Sequence, residues 1–155
     1  MEDVKVFENQ IIDDLHKIFS LDKTAKVYLK NCTIKCAEIR DLAAVYIVDG
    51  SADGDLTFIN VPKVKIANFS GLTIDFGTAG SVTVKNSPCY QFNFPQKMNC
   101  LELEDIVLED VSFPDVVEYM ILRNITCDAV HMPTPKILKR ENCDIRNIFW
   151  HRRHL

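Results

Sequence analysis

The sequence has no excess of positive charge: 18 Lys and Arg stand against 22 Asp and Glu, for a net charge of −4. Phosphate binding draws its affinity from clustered surplus cation, so nucleic acid is not expected as a partner. It has no uninterrupted apolar stretch near the roughly 18 to 20 residues of a membrane helix, so no membrane contact is expected. Its N-terminus, Met1-Glu2-Asp3-Val4-Lys5, lacks the charged and apolar regions of a secretory signal, which makes the cytoplasm the expected location. Its six cysteines (32, 36, 89, 100, 127 and 143) form no Cys-x-x-Cys pair. Its histidines, His16, His131, His151 and His154, show no pair at helical metal spacing and no adjacent Ser/Asp constellation. Neither a zinc centre nor a nucleophile triad is supported, and the expectation is a protein without catalysis, metal or cofactor. With 155 residues and 47% apolar composition, the chain suits one domain with a substantial core.

What is present is a repeat. Lys26-Val-Tyr-Leu-Lys-Asn31, Ala44-Val-Tyr-Ile-Val-Asp49, Lys63-Val-Lys-Ile-Ala-Asn68 and Ser81-Val-Thr-Val-Lys-Asn86 share one form, an alternation of apolar residues closed by Asn or Asp. Cys100-Leu-Glu-Leu-Glu-Asp105, Tyr119-Met-Ile-Leu-Arg-Asn124 and Ile137-Leu-Lys-Arg-Glu-Asn142 continue it, failing only at Arg140. The closing residues are separated by 18, 19, 18, 19, 19 and 18 residues. Period-2 alternation predicts that each copy opens with a strand whose second and fourth side chains point inward. Asn and Asp tolerate left-handed backbone angles and bond neighbouring amides, so they suit the corner that follows.

No copy leaves room for a crossover helix, so βαβ units are excluded. The remaining arrangement is a solenoid with coils stacked about 4.8 Å apart, each strand pairing with its equivalents above and below. Val27, Val45, Val64, Val82, Leu101 and Met120 form one expected inward column, and Leu29, Ile47, Ile66, Val84, Leu103 and Leu122 the next. Asn31, Asp49, Asn68, Asn86, Asp105, Asn124 and Asn142 form an expected corner ladder. The fold class is all-β, a parallel β-helix of about seven 18–19-residue coils. Leu101-Glu-Leu-Glu-Asp-Ile-Val-Leu108 also fits a leucine-rich repeat, but that repeat runs to 20–29 residues with a helix or 3₁₀ turn on its outer side. A short-repeat leucine-rich arc is the alternative.

Residues 1–24 are expected to form an N-terminal capping helix on the solenoid, with Phe7, Ile11, Ile12, Leu15, Ile18 and Phe19 at helical spacing. The solenoid occupies 25–150, closed by Ile145, Ile148, Phe149 and Trp150, and 151–155 is a basic tail. Residues 50–55, Gly-Ser-Ala-Asp-Gly-Asp, read as a turn or bulged corner. Ser87-Pro88, Phe94-Pro95 and Met132-Pro-Thr-Pro135 mark further corners, because proline cannot donate within a ladder. The cysteines fall on packing positions, where they act as small reduced hydrophobes.

The outward side of the first strand is the expected binding face. One of its rows runs Tyr28, Tyr46, Lys65, Thr83, Glu102, Ile121, Lys139; the other runs Lys30, Val48, Ala67, Lys85, Glu104, Arg123, Glu141. Tyr28, Tyr46 and Val48 form the apolar contact patch, with Lys65, Glu102 and Glu104 as its charged continuation toward a protein partner. The second row alternates in sign from Lys85 to Glu141, a ladder that pins coil register. The carboxylates Glu102, Glu104, Asp105, Glu109, Asp110, Asp115 and Glu118 have no Lys or Arg among them. They read as a solvated acidic face, or alternatively as the paired carboxylates of a carbohydrate-active β-helix enzyme. The sequons at Asn31, Asn68 and Asn124 support a secreted leucine-rich-repeat recognition module if a leader lies upstream, in which case the location is extracellular.

Through Ala44-Val-Tyr-Ile-Val, Gly80-Ser-Val-Thr-Val-Lys-Asn86-Ser and Lys136-Ile-Leu-Lys-Arg-Glu-Asn-Cys-Asp-Ile145, the chain resembles the small parallel β-helix modules of tubulin-binding cofactor C and of cyclase-associated proteins, over about residues 25 to 150. The cofactor-C resemblance implies stimulation of a small GTPase by an Arg in a Gln-x-Arg strand motif. The corresponding strand, Glu118-Tyr-Met-Ile-Leu122, has no Arg at that place. The cyclase-associated resemblance implies cytoskeletal protein binding without active-site chemistry.

Overall fold

In the computed structural model, residues 4–13 and 23–150 are described, and they form a β-solenoid of parallel strands with no helix among them. The first ribbon runs β1 (Val4–Glu8), β3 (Lys26–Lys30), β6 (Ala44–Ala52), β8 (Lys63–Asp75), β9 (Ser81–Lys85), β11 (Lys97–Ser112), β12 (Val116–Met132) and β13 (Ile137–Glu141). Beyond the corner the chain continues in β2 (Ile11–Ile12), β4 (Thr33–Ile34), β10 (Cys89–Asn93) and β14 (Asp144–Trp150), and in the second halves of β6, β8, β11 and β12. The short strands β5 (Glu38–Arg40) and β7 (Leu56–Ile59) complete the early coils.

The register is the one the spacing predicts. Val27 pairs with Val45, Val45 with Val64, Val64 with Val82, Val82 with Leu101 and Leu101 with Met120. All of these are buried, as is the parallel column from Leu29 to Leu122. A third column forms beyond the corner. Phe58, Phe76, Phe94 and Phe113 follow one another with ring centroids 6.0, 5.4 and 5.9 Å apart. Each Phe side chain buries on the order of 150–250 Å², so this stack is a large part of the core.

The corner ladder is present and longer than the repeat count. Asn9, Asn31, Asp49, Asn68, Asn86, Asp105, Asn124 and Asn142 all have φ between 45° and 56°. Each Asn side chain donates from Nδ2 to Oδ1 of the preceding rung: Asn31 to Asn9 at 2.6 Å, Asn68 to Asp49 at 3.0 Å, Asn86 to Asn68 at 2.9 Å, Asn124 to Asp105 at 2.8 Å and Asn142 to Asn124 at 2.7 Å. The ladder breaks below Asp49 and below Asp105, because a carboxylate has no N–H to give. A second, shorter ladder at the next corner joins Asn60 to Asp41 at 2.9 Å, both at positive φ.

Three sequence expectations need correction. The segment assigned to a capping helix contains strands: β1 pairs with β3 and β2 with β4, so Phe7 and Ile12 are core residues of a further coil. Helical spacing misled because Lys5 stands where later copies place an aliphatic, opposite Val27, and because 22 residues separate Asn9 from Asn31. Leu15, Ile18 and Phe19 lie outside the described residues, as does the basic tail 151–155. Gly50–Ala52 is strand, paired with β4 and β8, and the bend falls at Asp53 and Gly54. A Cβ on Gly50 would stand 2.6 Å from the Cys32 carbonyl oxygen, so its glycine serves close packing inside the strand. At the far end, Ile145 and Ile148 pack on the core, but Phe149 and Trp150 remain half exposed in β14, opposite His131 and Met132.

Candidate interaction face

The first ribbon presents one row of every second side chain to solvent, and at its N-terminal end that row is apolar. In register, Val6 lies beside Tyr28 and Tyr28 beside Tyr46, with Val4 and Val48 on the flanking rows. Val4, Val6, Tyr28 and Val48 are all exposed, Val6 at 60%. Coil stacking places the Tyr28 and Tyr46 rings face to face, 4.5 Å between centroids and 13° between planes. The ammonium groups of Lys63 and Lys65 sit 6.0 and 5.9 Å from the Tyr46 centroid, within cation–π reach. Val6, Tyr28, Leu29, Lys30, Tyr46 and Val48 line a shallow concavity of about 310 Å³. The patch is therefore a rigid aromatic platform bounded on one side by two cations.

Of the six residues expected at the binding face, four converge here: Tyr28, Tyr46, Val48 and Lys65. Glu102 and Glu104 do not. They belong to an ion network farther along the stack, where Lys85 meets Glu104 at 3.4 Å and Arg123 meets Glu102 at 2.9 Å and Glu141 at 3.4 Å. Arg123 stands in register with Glu104 yet reaches diagonally to Glu102, so the sign alternation holds in part. Val4, Val6 and Lys63 escaped the sequence reading. The first two were hidden by the helical reading of that segment, although the run Val4-Lys-Val-Phe-Glu-Asn9 carries a recognisable corner residue.

The acidic cluster is divided by the corner at Asp105. Glu102 and Glu104 lie on the first ribbon, Glu109 and Asp110 beyond the corner, and Asp105 itself accepts the Asn124 ladder bond. Among the described residues no three His, Cys, Asp or Glu are placed to hold a metal ion. The cysteines are all free. Burial pushes the Cys89 thiol up to about 11, and burial raises Cys100 and Cys127 as well, the opposite of nucleophilic activation.

Comparison of the chain with protein-family models, with curated proteins and with solved structures finds no match.

Proposed function

We propose that the protein is a non-catalytic interaction solenoid that docks a protein partner on the aromatic end of its first ribbon. One observation carries this reading: the Tyr28–Tyr46 stack lies in an exposed apolar row with Val6 and is bordered by Lys63 and Lys65. Aromatic groups held rigid by their neighbours make contact area at low entropic cost, and such residues dominate binding energy at interfaces. The resemblance to the β-helix modules of cyclase-associated proteins points the same way, toward a cytoskeletal protein without active-site chemistry. Burial raises the Cys89, Cys100 and Cys127 thiols, which does not favour nucleophilic chemistry at those positions, and Lys85 engages both Glu102 and Glu104, at 3.9 and 3.4 Å. In the secreted alternative the glycans would sit on the ladder residues Asn31, Asn68 and Asn124, whose Nδ2 groups each use one of two N–H donors toward the preceding rung.

The test compares wild-type protein with Tyr28→Glu and Tyr46→Glu in pull-downs against cytoskeletal proteins, with circular dichroism to verify the fold. Loss of a captured partner in both variants supports the reading. Capture unchanged by both substitutions contradicts it.

A further inference from the structure

The hydrogen-bonded stacking of coils is interrupted at one place beyond the corner. β10 pairs with β8, matching Cys89 to Gly71 and Phe92 to Ile74, but no strand pairing joins it to β11 on its other side. The corresponding half of β11 pairs instead with β12, from Ile106 to Ser112. The sequence supplies a cause. Pro88 has no N–H to place in a ladder. Ser87, buried beside it, accepts from the Phe69 amide at 3.2 Å and donates to the Lys85 carbonyl at 2.9 Å, tying the start of β10 to the preceding coil.

Between β10 and β11 runs a groove in two reaches of about 440 and 330 Å³, which share Gln91, Asp110, Val111 and Ser112. Tyr90, 73% exposed, stands at one end and Asp115 lines the other. Strand geometry identifies the backbone groups on its walls, because the N–H and C=O of one residue point to the same side and alternate along the chain. The Asn93 carbonyl accepts from Phe76 on the β8 side, so Tyr90 and Phe92 turn theirs toward the groove. The Phe113 amide donates to the His131 carbonyl on the β12 side, so Asp110 and Ser112 turn theirs toward it from the opposite wall. These groups have no ladder partner. The carboxylates of Glu109, Asp110 and Asp115 and the imidazole of His131 lie on the walls, with no Lys or Arg among the lining residues.

We propose that this groove takes an extended peptide segment of a partner protein, carrying Lys or Arg side chains, by strand addition. Backbone donors and acceptors repeating at strand spacing are matched by another extended main chain, and the carboxylates select its charge. A glycan offers hydroxyls but not that repeat. The groove is separate from the aromatic platform, and the two readings stand or fall independently.

Two measurements test it. Amide exchange on the free protein should show Tyr90 and Phe92 unprotected beside protected Gln91 and Asn93; equal protection of all four would mean the groove is closed and would overturn the proposal. Titration of isotope-labelled protein with an acetylated (Lys-Val)₄ peptide should shift the amides of Tyr90, Phe92, Asp110 and Ser112. Affinity should fall at least about tenfold when alternate peptide nitrogens are methylated, and similarly for Asp110→Lys protein, while Tyr28→Glu protein binds as wild type. Absence of those shifts, equal affinity for the methylated or a (Glu-Val)₄ peptide, or the same shifts produced only by oligosaccharides would refute it.

Discussion

Replacing Asn68 separates the corner's two contributions, backbone angle and side-chain ladder. Asn68 has φ 55°, donates to Asp49 and accepts from Asn86. Alanine there loses two hydrogen bonds, at about 0.5–1.5 kcal/mol each. It also places a Cβ in the left-handed region, which costs roughly 1–2 kcal/mol. The sum for Asn68→Ala is about 2–5 kcal/mol. Glycine loses the same bonds but not the strain, and its greater unfolded-state freedom costs about 0.5–1 kcal/mol relative to alanine. The Gly variant should therefore be the more stable by roughly 0.5–1 kcal/mol. At Thr83, an outward position of β9, the order should reverse, with Ala above Gly by a similar amount. Urea unfolding of the four variants, followed by circular dichroism, gives both differences. If alanine is the better residue at both sites, the left-handed corner is wrong.

Gly77→Ala should be more damaging than either Asn68 variant, since the added Cβ would stand 2.1 Å from the Phe58 carbonyl at φ +61°; the urea midpoint reads this directly. The Cys89 thiol titrates near 9 when unfolded and at about 11 when folded, so its contribution is complete below pH 9 and declines as pH rises toward 11. Two pKa units correspond to about 2–3 kcal/mol, and Cys89→Ala should flatten that part of the stability–pH curve. Arg123→Met should leave Glu102 and Glu141 without their guanidinium partner and lower stability by about 1 kcal/mol or less, because these groups remain partly solvated; an unfolding shift several times larger would contradict that accounting.

The fold was legible wherever the inward slots and the corner residue recur together. Val45, Ile47 and Asp49 announce their coil unaided, and so do Val82, Val84 and Asn86. The first coil was not legible because Lys5 breaks its column and the following connection is longer than the rest. The Phe58–Phe113 stack was in fact legible, since Phe76, Phe94 and Phe113 each lie eight residues beyond their corner residues Asn68, Asn86 and Asp105, and only Phe58, nine beyond Asp49, departs from that spacing. Of the candidate face, the tyrosine pair and Lys65 follow from register alone. Glu102 and Glu104 share those rows, but neighbouring Lys85 and Arg123 engage them, a choice of side-chain direction that spacing does not encode. The groove beside β10 is a missing interaction, and only Pro88 hinted at it.

The central claim is that residues one coil apart are joined by main-chain hydrogen bonds. Scalar couplings transmitted through hydrogen bonds measure this without reference to side chains. They should link the Asn31 nitrogen to the Val48 carbonyl carbon, Asn86 to Glu104 and Asn99 to Gly80, which are separated by 2.9, 2.9 and 2.8 Å between nitrogen and oxygen. Couplings from these amides to carbonyls four residues earlier, or to antiparallel partners, would contradict the solenoid.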